Sequence, residues 1–254
     1  MESGEPRRCV SNELIFDLSA GAADVFIAHP EGEGRWPVIL FYMDAPGIRA
    51  ELHDMARRLA SHGYLVVLPN LFYRNGVNLR LTPEANVAGS EEQNRMFTLM
   101  NSLSVDAVMA DTAALIGELS NVPSADLGRI GALGFCMSGR FAVAALHRFP
   151  GQVRAAASIY GTELITGQPD SPHFLAAQAS GRLYIAIAEN DIYAPAAQAE
   201  PLRARFREGA VDADVEVLPG VDHGFCFPER ATYDRAAAEH VWEKLFRLFG
   251  SALW

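Results

Sequence analysis

An open α/β sheet, mostly parallel and covered by helices on both faces, is the fold class this sequence predicts. Three observations predict it. Short apolar runs of strand length recur along the chain. Amphipathic stretches of helical length separate them. Most of the runs are apolar throughout rather than alternating, as in parallel strands buried on both faces.

The elements follow in order. Residues 15–18 and 25–28 read as an opening pair of strands, with Ser19-Ala20-Gly21 as the turn. Residues 38–43 and 64–68 are continuous apolar runs. Between them, residues 50–61 carry Leu52, Met55 and Leu59 at helical spacing and end at His62-Gly63, which makes a strand–helix–strand unit with a right-handed crossover. The alternation then repeats: a helix at 106–119, a strand at 129–135, a helix at 140–148 stopping before Pro150, and strands at 153–160 and 183–188. A helix at 197–208, a strand at 215–218 and a last helix from about Thr232 to Phe249 complete the pattern. Two long loops, 70–84 and 162–181, are candidates for cleft walls, because ligands in such sheets bind beyond the carboxyl ends of the strands.

The chain has 254 residues, half of them hydrophobic, enough to bury one sizeable core. No linker splits it, so residues 1–254 are expected to form a single domain. With 21 basic and 31 acidic residues the formal net charge is -10. That balance disfavours nucleic acid or an anionic membrane as partner. Cys9, Cys136 and Cys226 are too few and too odd for a disulfide framework and fit a reducing compartment. Residues 1–12 are polar and lack the apolar core of a signal peptide, and no run approaches the roughly 18–20 residues of a membrane span. The expected location is cytoplasmic. Oligomeric state is not legible.

The strongest local signal is Gly134-Phe135-Cys136-Met137-Ser138-Gly139, which closes a strand and opens a helix. Small residues two positions either side of Cys136 suit a nucleophile elbow, whose tight turn leaves no room for larger side chains. Cys136 then sits at the amino end of a helix, where the local positive potential favours thiolate. The Met137 N–H would face the developing oxyanion. The bland alternative is a buried, inert cysteine, and Ser138 is a lesser candidate nucleophile.

A thiol nucleophile needs a base. His223, in Val221-Asp222-His223-Gly224-Phe225, follows a strand directly and falls on the same sheet edge as Cys136. His173, in a long loop, is the rival. Asp191, in Asn190-Asp191-Ile192-Tyr193-Ala194-Pro195, follows the preceding strand and is the expected orienting acid, with Glu189 and Asp222 as rivals. The order nucleophile, acid, histidine is that of an α/β-hydrolase. The turn Met43-Asp44-Ala45-Pro46-Gly47 offers Ala45 N–H as second oxyanion donor, since Pro46 has no N–H. Asp44 is either a turn carboxylate or a group that tunes Cys136. No metal-ligand spacing, phosphate loop or dinucleotide fingerprint stands out, so neither metal nor cofactor is expected.

These residues together resemble the dienelactone hydrolase family, over about Pro37 to Phe249. The matching pieces are the segment 37–49, Gly63 to Arg74, the Cys136 elbow, Tyr160-Gly161, the Asp191 loop and Asp222-His223-Gly224-Phe225. The resemblance implies the α/β-hydrolase fold and a small-molecule ester or lactone substrate, opened through a thioester by a triad of Cys136, Asp191 and His223. It also places Asp44 where the family has a glutamate that touches the cysteine at rest. The family grips a substrate carboxylate with two arginines. Here Phe227 stands four residues after the histidine, with Arg230 further on, and Arg95 lies near the other position. That difference implies a less anionic substrate, in a pocket involving Arg95, Phe97, Tyr73, Tyr160 and Phe225. Two other readings remain open: a non-catalytic ligand-binding protein on the same fold, and a thiol redox protein in which Cys226 approaches Cys136.

Overall fold

The computed structural model describes residues 7–169 and 171–254, so the first half of the polar N-terminal stretch lies outside the described residues. The chain divides into two compact units, Met1–Gly128 and Arg129–Trp254.

In the first unit, Cys9–Leu18 (β1) and Gly21–Pro30 (β2) form the expected hairpin, with Leu18 paired to Gly21. Both strands extend well beyond the apolar cores read from the sequence. The outer residues of β1 alternate poorly, and backbone pairing rather than burial carries them. Trp36–Tyr42 (β3) and Leu65–Pro69 (β4) pair in parallel, and β4 pairs antiparallel with β2. The order is β1-β2-β4-β3. Both β3 and β4 are buried along their whole length, which is why they read as unbroken apolar runs. Between them, Ala50–Ser61 (α1) turns Leu52, Met55 and Leu59 inward.

Glu91–Asn101 (α2) has no counterpart among the elements read in order from the sequence. Its face is too polar to show periodicity, but its start is marked. Ser90 Oγ accepts the Gln93 N–H, and Gln93 Oε1 accepts the Gly89 N–H, close to a capping box. Val105–Leu119 (α3) follows, capped by Ser104. No single helix among the described residues is long and apolar enough to cross a membrane. Only α2 and α3 taken together reach that length, across a 77° bend.

Ala125–Phe135 (β5) begins in the first unit and runs into the second. The second unit is a parallel sheet in the order β5-β6-β7-β8, with Val153–Ile159 (β6), Arg182–Ala188 (β7) and Asp212–Leu218 (β8). Gly139–Arg148 (α4) packs against β6, Ala199–Arg207 (α6) against β8, and Arg235–Leu253 (α7) against β6 and β7. The last helix starts at Arg235 rather than Thr232, because Asp234 caps it by accepting the Ala237 N–H. The loop 162–181 holds a short helix, Pro172–Ala177 (α5), opened by proline at its first position.

Register positions the site. Ala188 at the end of β7 pairs with Leu218 at the end of β8, and Phe135 at the end of β5 pairs with Ile159. In parallel strands the loops that follow must leave from one edge. Those loops carry Cys136, Asp191 and His223.

Candidate active site

Cys136 is the first residue of a 3-10 turn, Cys136–Ser138, between β5 and α4. Its φ of 55° is left-handed, a conformation that a side chain adopts only where the surroundings impose it. The neighbouring glycines show what imposes it. A Cβ on Gly134 would run into the Ser138 carbonyl, and one on Gly139 would meet Ser158 Oγ and the Gly161 backbone. Ser138 itself is locked. Its hydroxyl donates to Phe135 O (3.0 Å) and accepts from Phe135 N (3.2 Å), and it is fully buried. It closes the turn and is not placed to attack a substrate. The Met137 N–H lies in the opening turn, where no earlier helical carbonyl exists to accept it.

His223 Nδ1 lies 2.7 Å from Asp191 Oδ2. The other carboxylate oxygen of Asp191 accepts the N–H groups of Tyr193 (2.8 Å) and Ala194 (2.9 Å). Burial alone would press the His223 imidazolium down. Hydrogen bonds to Asp191 and Cys136, together with their charges, outweigh it and lift His223 from 6.5 to about 9. Burial also opposes ionisation of Asp191. The His223 contact and the two backbone N–H groups win, so Asp191 stays below the usual carboxylate value. Histidine and aspartate are thus hydrogen-bonded within the second unit, and Cys136 acts on the same imidazole.

The rivals have other occupations. His173 is buried on α5, with Nδ1 2.8 Å from Ser171 Oγ. Glu189 accepts the Gly220 N–H. Cys226 is buried, and burial pushes its thiol well up, a poor setting for a resolving thiol. No group of histidine, cysteine and carboxylate side chains among the described residues is arranged to hold a metal ion.

Tyr160 and Phe225, expected in the pocket, are buried in an aromatic cluster. Tyr160 packs edge-on against His223 (4.9 Å between centroids) and Phe225 (5.3 Å), and Phe227 joins through Phe135 (5.4 Å). These rings hold the histidine loop from within. In the first unit, Tyr73 is also buried. Its hydroxyl donates to Asp111 (2.6 Å) and accepts the Ala20 N–H. Arg95 on α2 is half exposed and paired with Glu92 at 3.4 Å, and Phe97 is exposed on the same helix. Ala45 is buried in a turn closed by the Gly47 N–H donating to Asp44 O (2.9 Å). The buried Asp44 carboxylate is gripped on both oxygens by Arg49, which also holds Glu51. These two acids outweigh burial and raise the Arg49 pKa.

Sequence reasoning missed Arg140 and Glu163. Arg140 stands in the first turn of α4, four residues after Cys136, with its side chain 13% exposed and ion-paired to Glu163. Burial holds its pKa below the ordinary value, and the charge of Cys136 opposes that. Glu163 has a left-handed φ of 54°, in a loop tied to the elbow by the Thr162 N–H donating to Cys136 O at 3.1 Å. A cation at a helix start works against the helix dipole, which was the one available signal.

Fold and linked side chains define an α/β-hydrolase with a cysteine–histidine–aspartate constellation. The model of the dienelactone hydrolase family matches residues 23–253, and the chain belongs to that family. It is a dienelactone-hydrolase-like hydrolase of esters or lactones. Among curated relatives, a Synechocystis protein named "Putative carboxymethylenebutenolidase" is 27% identical over 233 residues, covering 90% of this chain and 91% of that protein. A protein of the same name from Azospirillum brasilense is 28% identical over 221 residues, covering 86% and 89%. The crystal structure titled "Putative Dienelactone Hydrolase" from Klebsiella pneumoniae superposes with a TM-score of 0.83 at 23% identity, covering 96% of this chain and 99% of that one. That likeness speaks to fold.

Proposed function

We propose that Cys136 is the nucleophile of this hydrolase and that the reaction runs through a thioester. The observation that carries the reading is the hydrogen-bonded pair of His223 and Asp191 on loops at the sheet edge that also carries Cys136, with Cys136 acting on the same imidazole. The Cys136 sulfur attacks the carbonyl carbon of an ester or lactone. Charge develops on the carbonyl oxygen, and the Met137 N–H stabilises it. The tetrahedral adduct collapses to a thioester, and the His223 imidazolium gives its proton to the departing alkoxide. Neutral His223 then takes a proton from water, whose oxygen attacks the thioester. Acid is released and Cys136 regenerated. Asp191 stabilises the imidazolium in both halves. No cofactor enters.

The remaining roles belong to the same proposal. Ala45 N–H is assigned as second oxyanion donor and Asp44, clamped by Arg49, as the group that tunes the cysteine. The family match runs without a break across both units, which supports one hydrolase domain over residues 1–254. A cytoplasmic location fits the sparse free cysteines. A substrate less anionic than a dienelactone is supported by Phe227, buried and apolar where the family resemblance calls for an arginine, and by Arg95, exposed and already paired.

The test is hydrolysis of p-nitrophenyl acetate and butyrate, a neutral lactone and a dienelactone by wild type and Cys136→Ala. Loss of all turnover in a folded variant is expected, with the neutral members preferred. Turnover retained in Cys136→Ala overturns the nucleophile. No turnover by wild type, with Cys136 inert to iodoacetamide, favours a binding protein.

A further inference from the structure

We propose that Ile192 and Tyr193 form the subsite for the leaving alcohol, and that the enzyme thereby prefers esters of bulky apolar alcohols. The inference rests on the thioester mechanism above and adds the substrate feature that it leaves open.

The argument begins with the proton. In the first half-reaction the departing oxygen must lie beside His223, because that ring protonates it. Nδ1 is occupied by Asp191, so the alcohol leaves on the Nε2 side. The His223 side chain is itself only 9% exposed, so the alcohol is placed against the solvent-exposed ring that packs on this imidazole. Two tyrosine rings meet the imidazole. Tyr160 is buried in the aromatic cluster. Tyr193 lies 5.0 Å from the His223 centroid at 67°, and is 60% exposed. Ile192 beside it is 81% exposed, more than any other large hydrophobic residue among those described.

These two side chains stand on a fixed turn. The Asp191 oxygen not used by His223 accepts the N–H groups of Tyr193 and Ala194. The carboxylate that orients the base thus also sets the backbone beneath the apolar pair. Ala194 is buried and anchors the far side of the turn. A large apolar surface on a rigid turn gains from being covered, and little ordering entropy opposes it. The tie also gives the pair its chemical meaning. The acyl half stays on Cys136 after the alcohol departs, so these residues act on acylation and not on thioester hydrolysis.

The experiment uses acetate esters of alcohols with similar acidity: ethyl, n-butyl and cyclohexylmethyl. Wild-type kcat/KM is expected to rise along the series. In Ile192→Ser/Tyr193→Ser, cyclohexylmethyl acetate should fall about tenfold and ethyl acetate by no more than about twofold. Tyr193→Phe should keep the wild-type ranking, because the ring and not the hydroxyl makes the contact. The post-burst rate with p-nitrophenyl acetate reports thioester hydrolysis and should not move. A flat wild-type series overturns the subsite. So does an equal fall for every ester together with slower thioester hydrolysis, which would mean that Tyr193 only props up His223. A wild type whose turnover does not depend on Cys136 overturns the mechanism itself and the subsite with it. Cys136-dependent turnover with a flat series overturns the subsite alone.

Discussion

Replacing Asp191 by asparagine should disable the enzyme by reversing a proton, not by loosening the loop. Asp191 Oδ1 accepts two backbone N–H groups, so the asparagine carbonyl is held at that position. The NH2 group is then forced to face His223 Nδ1. A donor there requires Nδ1 to be bare, which moves the single imidazole proton to Nε2, the nitrogen that must accept a proton. The lost charge acts as well. The lift of His223 from 6.5 to about 9 corresponds to about 3 kcal/mol, the net of burial opposing the imidazolium and of Asp191 and Cys136 together favouring it. Charge loss alone therefore accounts for about a hundredfold, and the tautomer reversal brings the expected fall in kcat/KM to about a thousandfold or more. Steady-state hydrolysis of p-nitrophenyl acetate measures it, and nitrogen chemical shifts of His223 read the tautomer. Activity within tenfold of wild type, or a proton still on Nδ1, would refute the reasoning.

Other outcomes follow from the same contacts. His223 is raised, so its stabilising contribution is fully present below pH 6.5 and is lost as pH rises through about 9; Asp191 is lowered, so its contribution is present above its ordinary value and is lost as pH falls through the depressed one. The Tm gap between wild type and Asp191→Asn should therefore be widest near pH 6 and narrow above pH 9, as thermal unfolding across pH would show. Arg140→Met should slow iodoacetamide alkylation of Cys136 about tenfold at neutral pH, with partial rescue in Arg140→Lys, because a buried cation that interacts with the Cys136 charge is removed. Ser158 Oγ is buried against Gly139 and Gly161 with no hydrogen-bond partner among the described residues; Ser158→Ala should leave Tm unchanged or raise stability by about 1 kcal/mol in denaturant unfolding.

The sheet was legible because its strands are buried on both faces. β3, β4 and β7 are almost wholly apolar, so burial and sequence say the same thing. The edges were less so. β1 is largely exposed, and only its last residues carried an apolar signal. α2 hides behind a polar surface and announces itself only through Ser90 and Gln93. The elbow was legible because sterics write it locally: Gly134 and Gly139 are required by atoms within a few residues of Cys136 and by the strand beside it. Asp191 and His223 were legible from strand order. What remained hidden was every contact that depends on two loops meeting. Nothing near Arg140 in the sequence points to Glu163. Nothing near Tyr193 says that its ring will lie on an imidazole thirty residues later, a consequence of the β7–β8 register. Tyr160 and Phe225 show why aromatic residues discriminate poorly: large apolar rings near a site serve as core as readily as lining, and both are buried here.

The central claim is a covalent bond to one sulfur, and intact-protein mass spectrometry during turnover tests it most directly. Wild type quenched in acid while hydrolysing p-nitrophenyl acetate should carry one added acetyl group, mapped by peptide to Cys136, absent from Cys136→Ala, and more abundant in a variant slowed in thioester hydrolysis. An acetyl group on another residue, or sustained turnover by Cys136→Ala, would contradict the account.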